Sequence, residues 1–196
     1  MEPDQQNLLY GIFSQAVSFE PCEWHKSLPY FSFHEYRAKE TIFSHGDYPL
    51  EIHFVLDGIG RYFYVDKEGK ERNKSLVKPA GAFSSVSTLI DGAPSPFFAQ
   101  AISACSIAAI KYEDLIKLSE SNANWGVFVR KLLERLILKK ERREASFLLM
   151  TARERYEQYL SEFKEESHLI PLRHVAMYIG VTDVTLSRVR KEMGLT

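Results

Sequence analysis

Residues 172–191 read LRHVAMYIGVTDVTLSRVRK, and the polar side chains among them have the types and spacing to grip a polyanion. Arg188 can donate a bidentate pair of hydrogen bonds to a guanine edge or hold a phosphate. Thr182, Ser187 and Lys191 suit phosphate positioning. Val184 has nothing to hydrogen-bond a base but can touch a thymine methyl, and Thr185 lies on the same turn. Asp183 repels phosphate, so it either stabilises a helix N-terminus or accepts from a cytosine amino group.

Such chemistry needs a helix with one packed side and one free side. Leu172, Val175, Ala176 and Ile179 recur at helical spacing and predict the apolar face of a short helix, with Pro171 suited to its first turn. Gly180 sits where that helix ends and the chain turns through positive φ. Thr182 is a good N-cap for a second helix, in which Leu186, Val189 and Met193 point one way and Val184, Ser187, Arg188 and Lys191 the other. Small Ala176 lets the helices approach, and Val181, Leu186 and Val189 lock their crossing. This is the arrangement of a helix-turn-helix, whose second helix enters the major groove of double-stranded DNA. An αα-hairpin without a ligand is the plainer alternative.

The charge balance at first argues against such a partner. The 196-residue chain carries 25 Lys/Arg against 26 Asp/Glu. The charges are segregated, however. Residues 1–120 hold 11 Lys/Arg against 16 Asp/Glu, residues 121–196 hold 14 against 10, and 130–155 alone holds 9 against 4. An acidic body joined to a basic tail suits contact with a polyanion. At 45% hydrophobic the chain can bury a core, which excludes wholesale disorder. Its two cysteines, Cys22 and Cys105, are too few for an iron–sulfur cluster or a Cys-rich zinc site and are expected to be reduced. The acidic start Met1-Glu2-Pro3-Asp4 is no secretory signal, and no stretch approaches the roughly 18 apolar residues of a membrane span. A soluble, cytoplasmic protein without a membrane partner is expected.

Upstream, residues 33–111 alternate short β-rich runs with turn signals. Glu51–Leu56 and Ile59–Val65 flank Asp57-Gly58, which predicts a hairpin. Asp66–Gly69 is a further turn before Lys70–Lys78, and Phe97–Ser103 with Cys105–Lys111 reads as a last pair of strands. Many short strands at regular spacing imply a barrel or jelly roll. Trp24, His25, Pro29, Tyr30 and Phe31 predict a short aromatic helix or loop packed on it, and the sequence assigns no role to residues 1–32. Glu113, Asp114 and Glu120 bracket a short helix. From about Asn122 a long helix begins, with Trp125, Val129, Leu132 and Leu136 at spacings of 4, 3 and 4, broadened by Leu133 and Ile137. It is expected to break near Met150-Thr151, where Thr151 caps a new helix containing Glu154. Nothing obvious in the chain covers the seam of the long helix. Trp125, Val129, Leu132, Leu133 and Leu136 are therefore expected to form a two-fold dimer interface, as against packing only on the chain's own barrel.

A β-roll, a long helix and a C-terminal helix-turn-helix, in that order, resemble the Crp/Fnr family of bacterial transcription regulators. The resemblance is carried by Ile179–Arg188 (IGVTDVTLSR), Phe54–Gly58 (FVLDG) and Asp66–Glu71 (DKEGKE). The details are most similar to the short Bacteroidetes-type members, which also carry a Pro-Ser pair like Pro94-Ser95. It implies an α+β fold in three parts: an N-terminal jelly-roll or β-roll domain like the cyclic nucleotide-binding domain over 1–120, a dimerisation helix over 121–149, and an all-α helix-turn-helix domain over 150–196. Because the chain ends at Thr196, no complete β-wing is expected. The resemblance also implies a homodimer reading a two-fold symmetric DNA site, and control by an effector held in the β-roll.

Departures from the family qualify the effector. Cyclic-nucleotide binders carry, after Gly-x-Phe, a Glu for the ribose and a downstream Arg for the cyclic phosphate. Here Gly81-Ala82-Phe83 is followed by Ser84, Ser85, Val86, Ser87 and Thr88, with Val86 at the Glu position and Pro96 near the Arg position. A buried phosphate without a cationic partner is costly, so cyclic AMP is not expected to bind in the family manner. Ser84, Ser85, Val86, Ser87, Thr88 and Ser95 line a pocket for some other small molecule, or are polar loop residues of a roll that has lost its site. Family members also often carry Glu where Val184 stands and Arg at or near Asp183, which leaves Arg188 as the main base reader and the operator unspecified.

Two other functions fit less well. A sensor acting through protein partners would have a degenerate DNA-binding part. A cupin-like metal enzyme would need a His-x-His pair, and none of His25, His34, His45, His53, His168 and His174 are two apart. Haem would have to use His34, His45, His53 or Cys105. No cofactor, no metal and no catalytic residue are expected.

Overall fold

The structure, a computed structural model, describes residues 3–195. The β-rich part folds as two four-stranded antiparallel sheets. In the first, β1 (Phe31–Tyr36), β8 (Cys105–Lys111), β3 (Glu51–Asp57) and β6 (Ala82–Phe83) lie side by side in that order. In the second the order is β2 (Thr41–Phe43), β7 (Phe98–Ala101), β4 (Gly60–Val65) and β5 (Glu71–Val77). Phe43, Val55, Val77, Phe83, Phe97, Ala99 and Ile107 pack as one buried cluster. Asp66 makes the β4–β5 hairpin as expected. Its backbone N–H donates to Lys70 O (3.0 Å) and its carboxylate accepts from Lys70 N (2.8 Å).

Asp57-Gly58 does not close a hairpin. β3 pairs with β8 and β6, whereas β4 pairs with β5 and β7. The chain uses this corner to leave one sheet and enter the other. Gly58 takes φ +86°, and a Cβ there would lie 2.0 Å from Ala104 O, so both conformation and space demand glycine. Phe97–Ser103 and Cys105–Lys111 likewise lie in different sheets and do not pair.

The N-terminal segment is more structured than its sequence suggested. Helices α1 (Pro3–Ser14) and α2 (Pro21–Ser27) bring Phe13, Phe19 and Trp24 into one aromatic cluster with Phe31, Phe54, Trp125 and Phe128. Phe13 stacks on Phe128 at 4.2 Å between ring centres. After the short α3 (Val86–Asp91) and α4 (Tyr112–Ser121) comes α5 (Ala123–Leu149), the long helix. Asn122 caps it, its side-chain oxygen accepting from Asn124 N and Trp125 N, while its amide nitrogen donates to Glu23 of α2.

This corrects the expected dimer seam. Trp125 is only 1% exposed and belongs to the chain's own core, and Val129 and Leu132 pack partly against the same cluster. Helices α1 and α2 cover the first half of the stripe, because their aromatic side chains reach it. Leu133, Leu136 and Ile137 remain exposed (51%, 36% and 61%).

The last helices are α6 (Ala152–Glu162), α7 (Leu172–Ile179) and α8 (Asp183–Glu192). Thr151 and Glu154 form the expected capping box at the break after α5. The apolar face of α7 differs from the expected one at three positions. Val175, Ala176 and Ile179 are buried, but Leu172 is exposed and His174 and Tyr178 are buried instead. Among the described residues, no helix is long and apolar enough to cross a membrane.

Candidate nucleic-acid interface and effector site

Gly180 closes α7 in the left-handed conformation (φ +73°), its N–H bonding back into the helix, and Val181 N donates to Ala176 O at 3.0 Å. A Cβ at Gly180 would also strike the Phe147 ring at 2.4 Å, so the turn seats directly on the end of α5. Thr182 caps α8, its hydroxyl oxygen accepting from Thr185 N at 3.1 Å. Leu186 and Val189 are buried, and Met193 packs partly against the same cluster. The opposite face of α8 carries Thr182, Asp183, Val184, Ser187, Arg188 and Lys191, all exposed. Thr185 is half-buried, its hydroxyl 2.9 Å from that of Thr182, so these two hydroxyls are occupied at the cap. Asp183 lies in the first turn of α8, where a carboxylate complements the helix dipole.

The candidate effector residues behave differently. Ser85, Thr88 and Ser95 are buried and satisfied internally. Thr88 Oγ1 donates to Ser85 Oγ (2.9 Å), the Ser85 and Ser87 hydroxyls share a hydrogen bond (3.1 Å), and Ser95 Oγ donates to Phe97 O (2.9 Å). Val86 and Pro96 are exposed. Aromatic rings fill the adjoining interior. Tyr62 lies 5.1 Å from Phe83 and 5.0 Å from Phe97, and its hydroxyl donates to Ala82 O.

The sequence reading missed Lys74. Its Nζ lies 3.4 Å from the Phe97 ring centre and 5.3 Å from that of Tyr62, so the roll holds a cation caged by rings. Burial, with the Lys140 charge nearby, brings the ammonium down to about 8. Below that pH the folded state carries the cost of a partly desolvated charge. Between about 8 and the ordinary lysine value of 10.5 the unfolded chain binds more protons, so stability rises with pH. Lys74→Met should therefore be more stable than wild type at pH 7, by on the order of 1 kcal/mol after allowing for residual exposure. The gap should shrink by about pH 10. Chemical denaturation at both pH values checks this, and a gap that widens toward pH 10 contradicts it.

A second missed group joins the roll to the helix-turn-helix. Arg61, 3% exposed, donates to Gln100 Oε1 (3.0 and 2.7 Å), Glu71 Oε2 (2.6 Å) and Asn73 Oδ1 (3.1 Å). Asn73 Nδ2 in turn donates to the His174 carbonyl of α7 at 3.0 Å. Burial and then the Arg61 charge bring the His174 imidazole down to about 4, so it is neutral in this contact. Among the described residues, no three His, Cys, Asp or Glu side chains are grouped so as to hold a metal ion.

The family model of the cyclic nucleotide-binding domain matches residues 33–122, the segment from β1 to the start of α5. Those residues are similar to the cyclic nucleotide-binding domain family. Solved structures share the fold over most of the chain, the roll and the following helices together. FixK2 from Bradyrhizobium japonicum is similar at a TM-score of 0.72 and 19% identity, over 84% of each chain. CLP from Xanthomonas campestris gives 0.68 and 15% over 89% of this chain and 92% of that one. The catabolite activator protein of Thermus thermophilus gives 0.55 and 24% over 90% and 86%. No curated protein sequence matches the chain.

Proposed function

We propose that this protein is a DNA-binding transcription regulator that acts as a homodimer and reads a two-fold symmetric site with α8. The observation that carries the reading is the division of α8 into a buried face and an exposed face bearing Arg188, Ser187 and Lys191. The likeness to CLP, described as a c-di-GMP responsive global regulator linked to gene expression, agrees with it. Binding of labelled genomic duplexes, followed by anisotropy, should weaken steeply between about 50 and about 200 mM salt, because each neutralised phosphate releases counterions. Binding indifferent to salt, or no binding, contradicts the reading.

The dimer uses the uncovered part of α5, with Leu133, Leu136 and Ile137 meeting their copies across a two-fold axis. Paired Leu133→Glu and Ile137→Glu substitutions, at exposed positions, should leave the protomer folded and weaken self-association at least tenfold in sedimentation velocity. An unchanged dimer places the interface elsewhere.

Cyclic AMP is not the effector in the manner of cyclic-nucleotide binders. Ser85, Ser87 and Thr88 are bonded to one another, and the positions of the usual Glu and Arg hold Val86 and Pro96. Calorimetry with cyclic AMP should give no binding in the micromolar range, and a micromolar Kd would overturn the statement. A different small-molecule effector in the roll remains part of the proposal.

A further inference from the structure

A cleft of about 540 Å³ opens between the second half of α5 and helices α6 and α7. Arg135, Lys139, Arg142, Arg143 and Arg155 line it, against a single carboxylate, Glu162. Three of these cations are held by backbone carbonyls. Lys139 donates to Leu76 O (2.9 Å), Arg143 to Tyr178 O (3.0 Å) and Arg155 to Ile179 O (2.8 Å). A carbonyl accepts a hydrogen bond but brings no charge. Glu162 lies 3.9 Å from Lys139 and also accepts from the Tyr178 hydroxyl. Arg135 and Arg142 are exposed and have no hydrogen-bond or ion-pair partner among the described residues.

So dense an uncompensated positive charge in a concavity raises the local concentration of anions and strengthens their contacts. Burial above all holds the Lys139 ammonium below the usual lysine range, with the Arg143 and Lys78 charges adding to the effect. The volume lies within the range of small-molecule pockets and exceeds what one ion needs. Phe147, Tyr159 and Tyr178 supply aromatic surface. At 3.6 residues per turn, Arg135 and Arg142 lie on roughly the opposite flank of α5 from Leu133 and Ile137, with Lys139 nearer Leu136, so the proposed dimer leaves the two free guanidinium groups open.

We infer that this cleft binds a nucleotide-sized molecule carrying two or more adjacent phosphates. Arg135 and Arg142 supply the free guanidinium forks, and the bound anion bridges α5 to α6 and α7. Its occupancy would thereby fix the angle between the long helix and the unit that carries α8. A duplex backbone is the other polyanion to consider, but a cleft of this volume with aromatic walls from Phe147, Tyr159 and Tyr178 suits a small molecule better.

Calorimetry on the full chain without DNA, using ADP and pyrophosphate as probes, tests the inference independently of the DNA-binding proposal. Both probes should bind once per protomer. Arg135→Ala combined with Arg142→Ala should weaken binding at least about tenfold, while Arg188→Ala combined with Lys191→Ala leaves it unchanged. Absence of binding, or binding untouched by the cleft substitutions, overturns the inference. If the cleft substitutions instead weaken DNA binding and lower its salt dependence while neither probe binds, the cleft is a phosphate contact of the duplex and the small-molecule site is wrong.

Discussion

Arg188→Ala should lower affinity for the best DNA site by about 30-fold or more while leaving thermal stability close to that of wild type. Arg188 is exposed on α8 and has no partner among the described residues, so its removal costs the fold little. On DNA, a bidentate contact to guanine contributes about 1–3 kcal/mol, and a symmetric dimer loses it twice. Val184 offers only a methyl contact, and the Thr182 and Thr185 hydroxyls are engaged with each other at the helix cap. Little else on this face can replace a lost guanine reader. Lys191→Ala should behave differently, weakening all sequences about equally and reducing the salt slope by about 1. Anisotropy titrations of both variants against matched and scrambled duplexes separate the two roles. Wild-type affinity for Arg188→Ala would remove Arg188 as the reader.

The second large effect lies far from the DNA face. Arg61→Ala should destabilise the protein by about 3 kcal/mol, lowering the melting temperature by about 6–12 °C for a chain of this size. The substitution leaves Asn73 buried and without its cationic donor, removes both hydrogen bonds to Gln100, and deletes a guanidinium lying 4.0 Å over the Phe63 ring. Glu71 is 43% exposed at its side chain and can be solvated, which keeps the cost below that of a fully buried pair. Arg61→Lys should recover only part of the loss, since an ammonium cannot reproduce the fork. The network also docks α7 on the roll, so hydrogen exchange in α7 should quicken more than in β8. Acid acts on the same contact. With the folded His174 brought down to about 4, the unfolded chain takes up the proton first, and stability falls as pH drops from about 6.5 toward 4. Uniform quickening of exchange across the roll would contradict the docking role.

Features that depend on local chemistry were legible in the sequence. Gly180, Thr182 and Thr151 stand where backbone conformation and orphan N–H groups require them, and the two faces of α8 follow from 3.6-residue periodicity. Features that depend on what meets what were not. Asp57-Gly58 announces a turn with positive φ, but not which sheet the next strand joins. The stripe from Trp125 to Leu132 announces burial, but not whether a partner or the chain's own α1 and α2 cover it. Polar residues on short strands carry no periodic signal that would assign Arg61 to α7 or Lys74 to an aromatic cage. The serines after Phe83 read equally well as a pocket or as a loop, and the structure shows them bonded mainly among themselves.

On the proposed function, two copies of α8 read a symmetric duplex. Selection of bound sequences from a random duplex library by the purified full chain, at about 150 mM salt, tests it most directly. Enrichment is expected of an inverted repeat whose half-sites lie about one helical turn apart, with a guanine in each half that loses its enrichment with Arg188→Ala. Recovery of no preferred sequence, or of a single unsymmetrical one, would contradict it.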